Sequence, residues 1–126
     1  MKKLSWQYYF LTIVLSVSLI TSYASPPLRH QFDQAKSDTA RLAACIKLIQ
    51  SYRTSLNSDS GLFYLNKGLE LVKNTKNTTY HAEFYTVCGR FFNKEQPALS
   101  LNYLNKGRYW AVKNNQIKRI ATIDYE

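Results

Sequence analysis

Leu62-Phe63-Tyr64-Leu65-Asn66-Lys67-Gly68 returns 39 residues later as Leu101-Asn102-Tyr103-Leu104-Asn105-Lys106-Gly107, with six of the seven positions identical. Around this pair the similarity widens. Val72-Lys73-Asn74 recurs as Val112-Lys113-Asn114, now at an offset of 40. Upstream, Ile49-Gln50-Ser51-Tyr52 and Gly89-Arg90-Phe91-Phe92 share a pattern at the same offset of 40: a compact residue, two spacers, an aromatic. Self-similarity at a period between about 20 and 50 residues marks stacked supersecondary units.

Each unit reads as two helices. Leu42, Cys45, Ile49, Tyr52 and Leu56 step by three and four residues, which places them on one helix face. Ser37 or Asp38 can cap the free amides at that helix start. After the polar turn Asn57-Ser58-Asp59-Ser60, a second helix carries Leu62, Leu65, Leu69 and Val72 on its predicted buried stripe. Asn74–Thr78 breaks the chain, and a third helix runs from about Thr79 to Phe92 with Ala82, Tyr85, Cys88 and Phe92 in register. Residues 93–96 form the next turn, and Pro97 suits the first turn of a fourth helix whose predicted buried side holds Leu101, Leu104 and Ala111. A fifth helix begins at Gln116, with Ile117, Ile120 and Ile123 on its stripe. Gly68 and Gly107 occupy the same place in both copies, inside helices where glycine costs about 1 kcal/mol relative to alanine. They and Gly89 are expected where a neighbouring helix backbone comes close. The repeat-packing positions are thus Ile49, Tyr52, Gly68, Gly89, Phe92 and Gly107.

Composition agrees with helix. Four Gly and three Pro are too few to punctuate a many-stranded β fold, and 45% hydrophobic residues suffice for a packed core. The chain begins with Lys2 and Lys3, continues through an apolar stretch at Tyr8–Ile20, and reaches small residues at Ser22 and Ala24. That order is the signature of a secretory signal. Residues 1–24 are therefore read as a signal peptide, with an uncleaved membrane anchor as the alternative, and 25–36 as a linker. The expected home is the periplasm or the extracellular space. Removing Lys2 and Lys3 lowers the net charge from +9 to +7. Such a field suits acidic partners, although the cations are spread along the chain as on a solvated helix surface. Cys45 and Cys88 would then meet an oxidising compartment. Both fall on apolar stripes, so two buried thiols are favoured over a bridge.

The small residue three before an aromatic, then a turn and a second helix with a small residue near its middle, resembles the tetratricopeptide repeat. Ser37-Asp38-Thr39-Ala40-Arg41-Leu42 leading to Tyr52, with the repeated Tyr-Leu-Asn-Lys-Gly, is similar to extracytoplasmic repeat regions of bacterial sensor histidine kinases and related regulators. The likeness covers residues 37–126, divided at about 37–76, 77–115 and a partial 116–126. The period of 39–40 departs from the usual 34, and Gly61 and Ser100 stand where the family often has alanine. The resemblance implies an all-α, α-α superhelix of about two and a half helix pairs that recognises protein or peptide. It also implies a groove lined by the first helix of each pair: Gln50, Arg53 and Thr54, then Glu83, Thr86, Arg90, Asn93 and Lys94. Arg53, Arg90 and Lys94 would make that groove cationic and suited to carboxylates.

No phosphate-binding Gly-rich loop, metal-ligand motif or nucleophile elbow appears. His81 and Glu83 are two apart on a helix and point to different faces, and neither His30 nor His81 has a spacing that couples it to a cysteine. No cofactor, no metal and no catalysis are therefore expected. Asn77-Thr78-Thr79 matches a glycosylation acceptor, which carries little meaning in the bacterial setting the resemblance implies. The ten tyrosines lie mostly on core stripes or in the signal, so nucleic acid is not an expected partner. The apolar stripe of the fifth helix points to self-association or to a longer gene product bearing the sensory module of a receptor. An envelope-associated structural protein without a groove ligand is the alternative.

Overall fold

The computed structural model describes residues 26–54 and 58–124. Residues 1–24, read above as a signal peptide, lie outside them, as do Leu56, Asn57 and the two C-terminal residues. Among the described residues six helices follow one another: α1 Pro26–Gln34, α2 Asp38–Thr54, α3 Ser58–Asn74, α4 His81–Phe92, α5 Pro97–Lys113 and α6 Ile117–Asp124. No strand occurs among the described residues. No helix there is long and apolar enough to cross a membrane.

Local chemistry sets the helix ends. Of the two candidate caps for α2, the structure uses Ser37, whose Oγ accepts the Ala40 amide at 3.2 Å, leaving Asp38 as the acidic residue of the first turn. Pro97 opens α5, where a missing N–H costs nothing. The end of α5 is a Schellman turn: Asn115 adopts φ 53°, its amide bonds to Val112 O at 3.1 Å, and Gln116 N bonds to Ala111 O at 2.8 Å. Asparagine tolerates that left-handed position better than other non-glycine residues.

The helices pack as two antiparallel pairs, α2 with α3 and α4 with α5. α2 lies beside α4, α1 lies on α2, and α6 lies on α5. α4 has neighbours on several sides and no exposed residue, whereas α2 keeps one face open through Lys47, Gln50, Ser51 and Thr54. α2 encloses Leu42, Ala44, Cys45, Ile46, Leu48 and Ile49. α4 encloses Phe84, Thr86 and Val87, which the sequence stripe left out, as well as Ala82, Cys88 and Phe92. The main core joins α2, α3 and α4. A smaller one gathers Ala82, Ala111 and Ile123 under half-buried Leu104, Trp110 and Ile120.

The repeat is legible in the packing. Tyr52 stacks on Tyr64 at 5.9 Å and 7°, and their counterparts Phe92 and Tyr103 stack at 5.8 Å and 13°. In α3 the buried positions are Gly61, Tyr64, Leu65, Gly68 and Val72. Adding 39 gives Ser100, Tyr103, Leu104, Gly107 and Ala111, all buried or half-buried in α5. Val112 is therefore not the partner of Val72 despite the matching tripeptide, and it is 55% exposed.

Several expectations are corrected. Leu62 and Leu101, placed on buried stripes, face outward at 37% and 60% exposure. The small residues Gly61, Gly68, Ser100 and Gly107 occupy the contact face instead, because there the helices approach most closely. Ser100 Oγ donates to the Gly89 carbonyl across that contact at 2.7 Å. Residues 26–34, read as part of a linker, form α1. Its Leu28 and Phe32 are one turn apart and cover the core. Phe32 meets Tyr64 edge-on at 5.4 Å, and Arg29 Nε donates to the Tyr52 hydroxyl at 2.8 Å. Prolines at a helix start are tolerated, so Pro26-Pro27 signals a turn in sequence yet opens a helix here. Of the isoleucines on α6, Ile123 is buried and Ile117 is 71% exposed.

Candidate functional site

The C-terminal ends of α2 and α4 lie side by side, and each carries an arginine in its last turn, Arg53 and Arg90. A cation there opposes the negative end of the helix dipole. Between these ends opens a cleft of about 330 Å³, bordered by Tyr52, Arg53, Arg90, Phe91, Asn93 and Lys94. Glu95 is the acidic residue on its rim, and Thr54 and Ser58 complete the border. The Thr54 hydroxyl donates to Ser51 O at 2.8 Å, so it helps end α2. Arg53, Asn93 and Lys94 are exposed, and Arg90 and Phe91 are half-buried.

The structure thus brings together Arg53, Thr54, Arg90, Asn93 and Lys94, and leaves the other expected groove residues elsewhere. Gln50 is exposed on α2 but does not border the cleft. Glu83 is two turns from Arg90, or about 10 Å along the helix, and holds Arg119 of α6 at 3.2 Å. Thr86 is 2% exposed, and its hydroxyl donates to Ala82 O at 2.7 Å. α6 covers one end of α4 and α5 packs along another side, so the face free for a ligand shrinks to the α2 and α4 C-termini. Tyr52, Phe91 and Ser58 were not among the expected groove residues. Tyr52 read as core, and α3 starts next to the cleft only because the α2–α3 connection is short.

The cysteines are unpaired and buried in the same core. Burial pushes the Cys45 thiol up to about 12 and raises Cys88 as well. Both stay protonated near neutral pH and lack nucleophilic thiolate. Among the described residues no three His, Cys, Asp or Glu side chains cluster as a metal site.

His81 is the one imidazole in the core, 1% exposed, with its ring edge-on to Trp110 at 4.7 Å. Burial lowers its pKa below the ordinary value, and a hydrogen bond to the Val72 carbonyl opposes that shift. Its Nδ1 has no partner. The loop before it is clasped from the α5–α6 turn: Asn114 Nδ2 donates to Thr78 O at 2.8 Å, and Gln116 Nε2 donates to Thr79 O at 3.1 Å. The unfolded chain takes up a proton at about pH 6.5, while the folded chain resists until lower pH. The folded state therefore loses stability as pH falls below about 6.5 towards the depressed value, and the neutral imidazole costs nothing above it. Thermal melts from pH 7.5 to pH 5 should show this slope. The His81→Leu chain should lack the part of it above the carboxylate range, and identical slopes would exclude His81 as its source.

Comparison with protein-family models, with curated proteins and with solved structures finds no match to this chain.

Proposed function

We propose that this is an exported helical-repeat protein of the tetratricopeptide type that binds a carboxylate-rich protein or peptide segment. Two antiparallel pairs with the same stacked ring couple at the same register support the repeat reading. The charged, apolar and small-residue order of Met1–Ala24 supports export. The observation that carries the binding reading is the meeting of Arg53, Arg90 and Lys94 around one open cleft. Guanidinium groups take carboxylates in charge-assisted, often bidentate hydrogen bonds. Tyr52 and Phe91 add apolar surface beside them, the combination expected of a peptide site with a few polar anchors.

The test is fluorescence polarisation of the full chain with labelled hexaglutamate and hexalysine peptides at low and moderate salt. Hexaglutamate should bind preferentially and weaken as salt screens the charges. Because a hydrogen bond to a charged group contributes about 1.5–3 kcal/mol, the Arg53→Glu, Lys94→Glu chain should lose at least about tenfold in affinity. Equal binding by the wild-type and doubly substituted chains would remove the cleft from consideration.

A further inference from the structure

α5 carries a second surface, away from the cleft. Leu101, Asn105, Arg108, Tyr109 and Val112 recur at intervals of about one turn and form one outward stripe. Leu101, Tyr109 and Val112 are 60%, 59% and 55% exposed. The stripe runs about 16 Å along the helix at 1.5 Å per residue. A shallow depression of about 600 Å³ lies against it, bordered by Asn105, Arg108, Tyr109, Val112 and Lys113.

Leu101 has an exposed leucine, Leu62, as its counterpart, but the repeat does not call for the apolar character of the other two. At the offset of 39 that relates the buried faces of α3 and α5, Tyr109 corresponds to Glu70 and Val112 to Lys73. Both α3 residues are exposed and charged. The second copy thus carries an aromatic and a β-branched residue in place of two charges, on a face that no described residue covers.

Charge says what kind of occupant fits. Residues 97–124 contain Lys106, Arg108, Lys113, Lys118 and Arg119 against the single acid Asp124. Asp124 holds Arg108 at 2.8 Å and Glu83 of α4 holds Arg119 at 3.2 Å, while Lys106 lies over the Tyr85 and Tyr103 rings, so Lys113 is the cation that the stripe edge offers. Lys113 sits over the Trp110 ring at 4.7 Å and the Tyr109 ring at 5.7 Å, and such cation–π contacts hold an ammonium at a fixed place on the stripe edge. A two-fold contact with a second copy through this stripe would bring its cationic edge, Arg108 and Lys113, onto an equally cationic edge. Like charges across an interface are strongly disfavoured.

We infer that the outer face of α5 docks an amphipathic helix of a partner protein, whose apolar ridge covers Leu101, Tyr109 and Val112 and whose acidic flank meets Lys113. Helix on helix is how the core of the described residues is buried, and side-chain rows at three- and four-residue spacing interdigitate in that way. A contact confined to one helix face is small beside the roughly 800 Å² per partner of a stable complex, so the docking is reversible.

The probe is a synthetic 18-residue helix with leucines at three- and four-residue spacing and glutamates beside them. It is titrated calorimetrically into the full chain alongside a lysine-for-glutamate version and a scramble of the same composition. The glutamate helix should bind at least about tenfold tighter than either control, since docking needs both stripe and charge. Tyr109→Glu should abolish the preference without moving the thermal melt, because the side chain is mostly exposed. The Arg53→Glu, Lys94→Glu chain should bind the probe unchanged, which separates this surface from the cleft. Equal affinity for the glutamate and lysine helices would overturn the inference. So would a concentration-dependent dimer dispersed by Tyr109→Glu, which would assign the face to a second copy. Preferential binding to anionic vesicles that Tyr109→Glu abolishes would assign it to a membrane and overturn it equally.

Discussion

Gly107→Leu is expected to lower the melting temperature by more than about 10 °C, the largest loss from a single added side chain in this molecule. A Cβ at position 107 would sit 2.9 Å from Thr86 Oγ1 and 3.2 Å from both the Ala82 carbonyl oxygen and the Thr86 amide nitrogen. Those atoms belong to the buried middle of α4. The Thr86 hydroxyl is committed to Ala82 O, so it has nowhere to retreat. The helices must separate, and Ala111, fully buried on the same face of α5, loses its packing too. Overpacking of this kind costs about 1–3 kcal/mol and sometimes more, and each kcal/mol is worth about 4–8 °C in a domain of this size. Gly61→Ala is the informative control. There the added carbon meets the ring of Phe91, which is half-buried beside the open cleft and can swing aside, while removing a helical glycine returns up to about 1 kcal/mol. Circular dichroism melts of both chains decide the matter. A Gly107→Leu chain melting within about 2 °C of wild type would mean that α4 and α5 do not meet there.

The second large effect concerns Phe84. Its side chain is fully buried, meets Tyr85 edge-on at 5.5 Å, and lies where a Cβ on Gly68 would collide with it. Phe84→Ala should destabilise the fold by about 3–5 kcal/mol, through lost burial and the cavity left behind. That is a large part of the 5–15 kcal/mol typical of a domain. A smaller cycle tests the contact itself. Gly68→Ala alone is expected to be destabilising because the enclosed ring cannot move, whereas in a Phe84→Leu background the same change should be milder. Urea titrations of the four chains should yield a coupling of about 1 kcal/mol, within the range for residues in contact. Additivity within about 0.3 kcal/mol would show that α3 does not press on α4 at this point.

The two proposed binding surfaces differ in how readily the sequence reveals them. Arg53, Arg90, Asn93 and Lys94 could be named in advance, because cations at the ends of two matched helices fall together once the helices are laid side by side. Glu83 and Thr86 could not be excluded in advance, since their displacement depends on α6 folding back over α4 and on a hydroxyl turning inward to Ala82. The stripe on α5 is not legible in the sequence, where apolar counting places Leu101 on the buried side. Its exposure follows from a rotation of the helix by about one position from where apolar counting puts it.

That rotation marks the line between what the chain determines by itself and what the tertiary structure decides. Periodicity, turn chemistry and the recurrence of Tyr-Leu-Asn-Lys-Gly determine helices α2 to α6, their approximate limits and their pairing, because these depend on contacts within a turn or between chain neighbours. Which face of each helix turns inward is decided by what the neighbouring helix brings against it. Gly61 and Gly68 of α3 make room for the Phe91 and Phe84 rings, and Ser100 and Gly107 of α5 for the α4 backbone, so small residues take the contact face over the leucines beside them. The same holds at the start of the described chain. Leu28 and Phe32 alone give too weak a stripe to nucleate a helix, and α1 forms because Tyr64 and Tyr52 present a surface that exists only after α2 and α3 have packed.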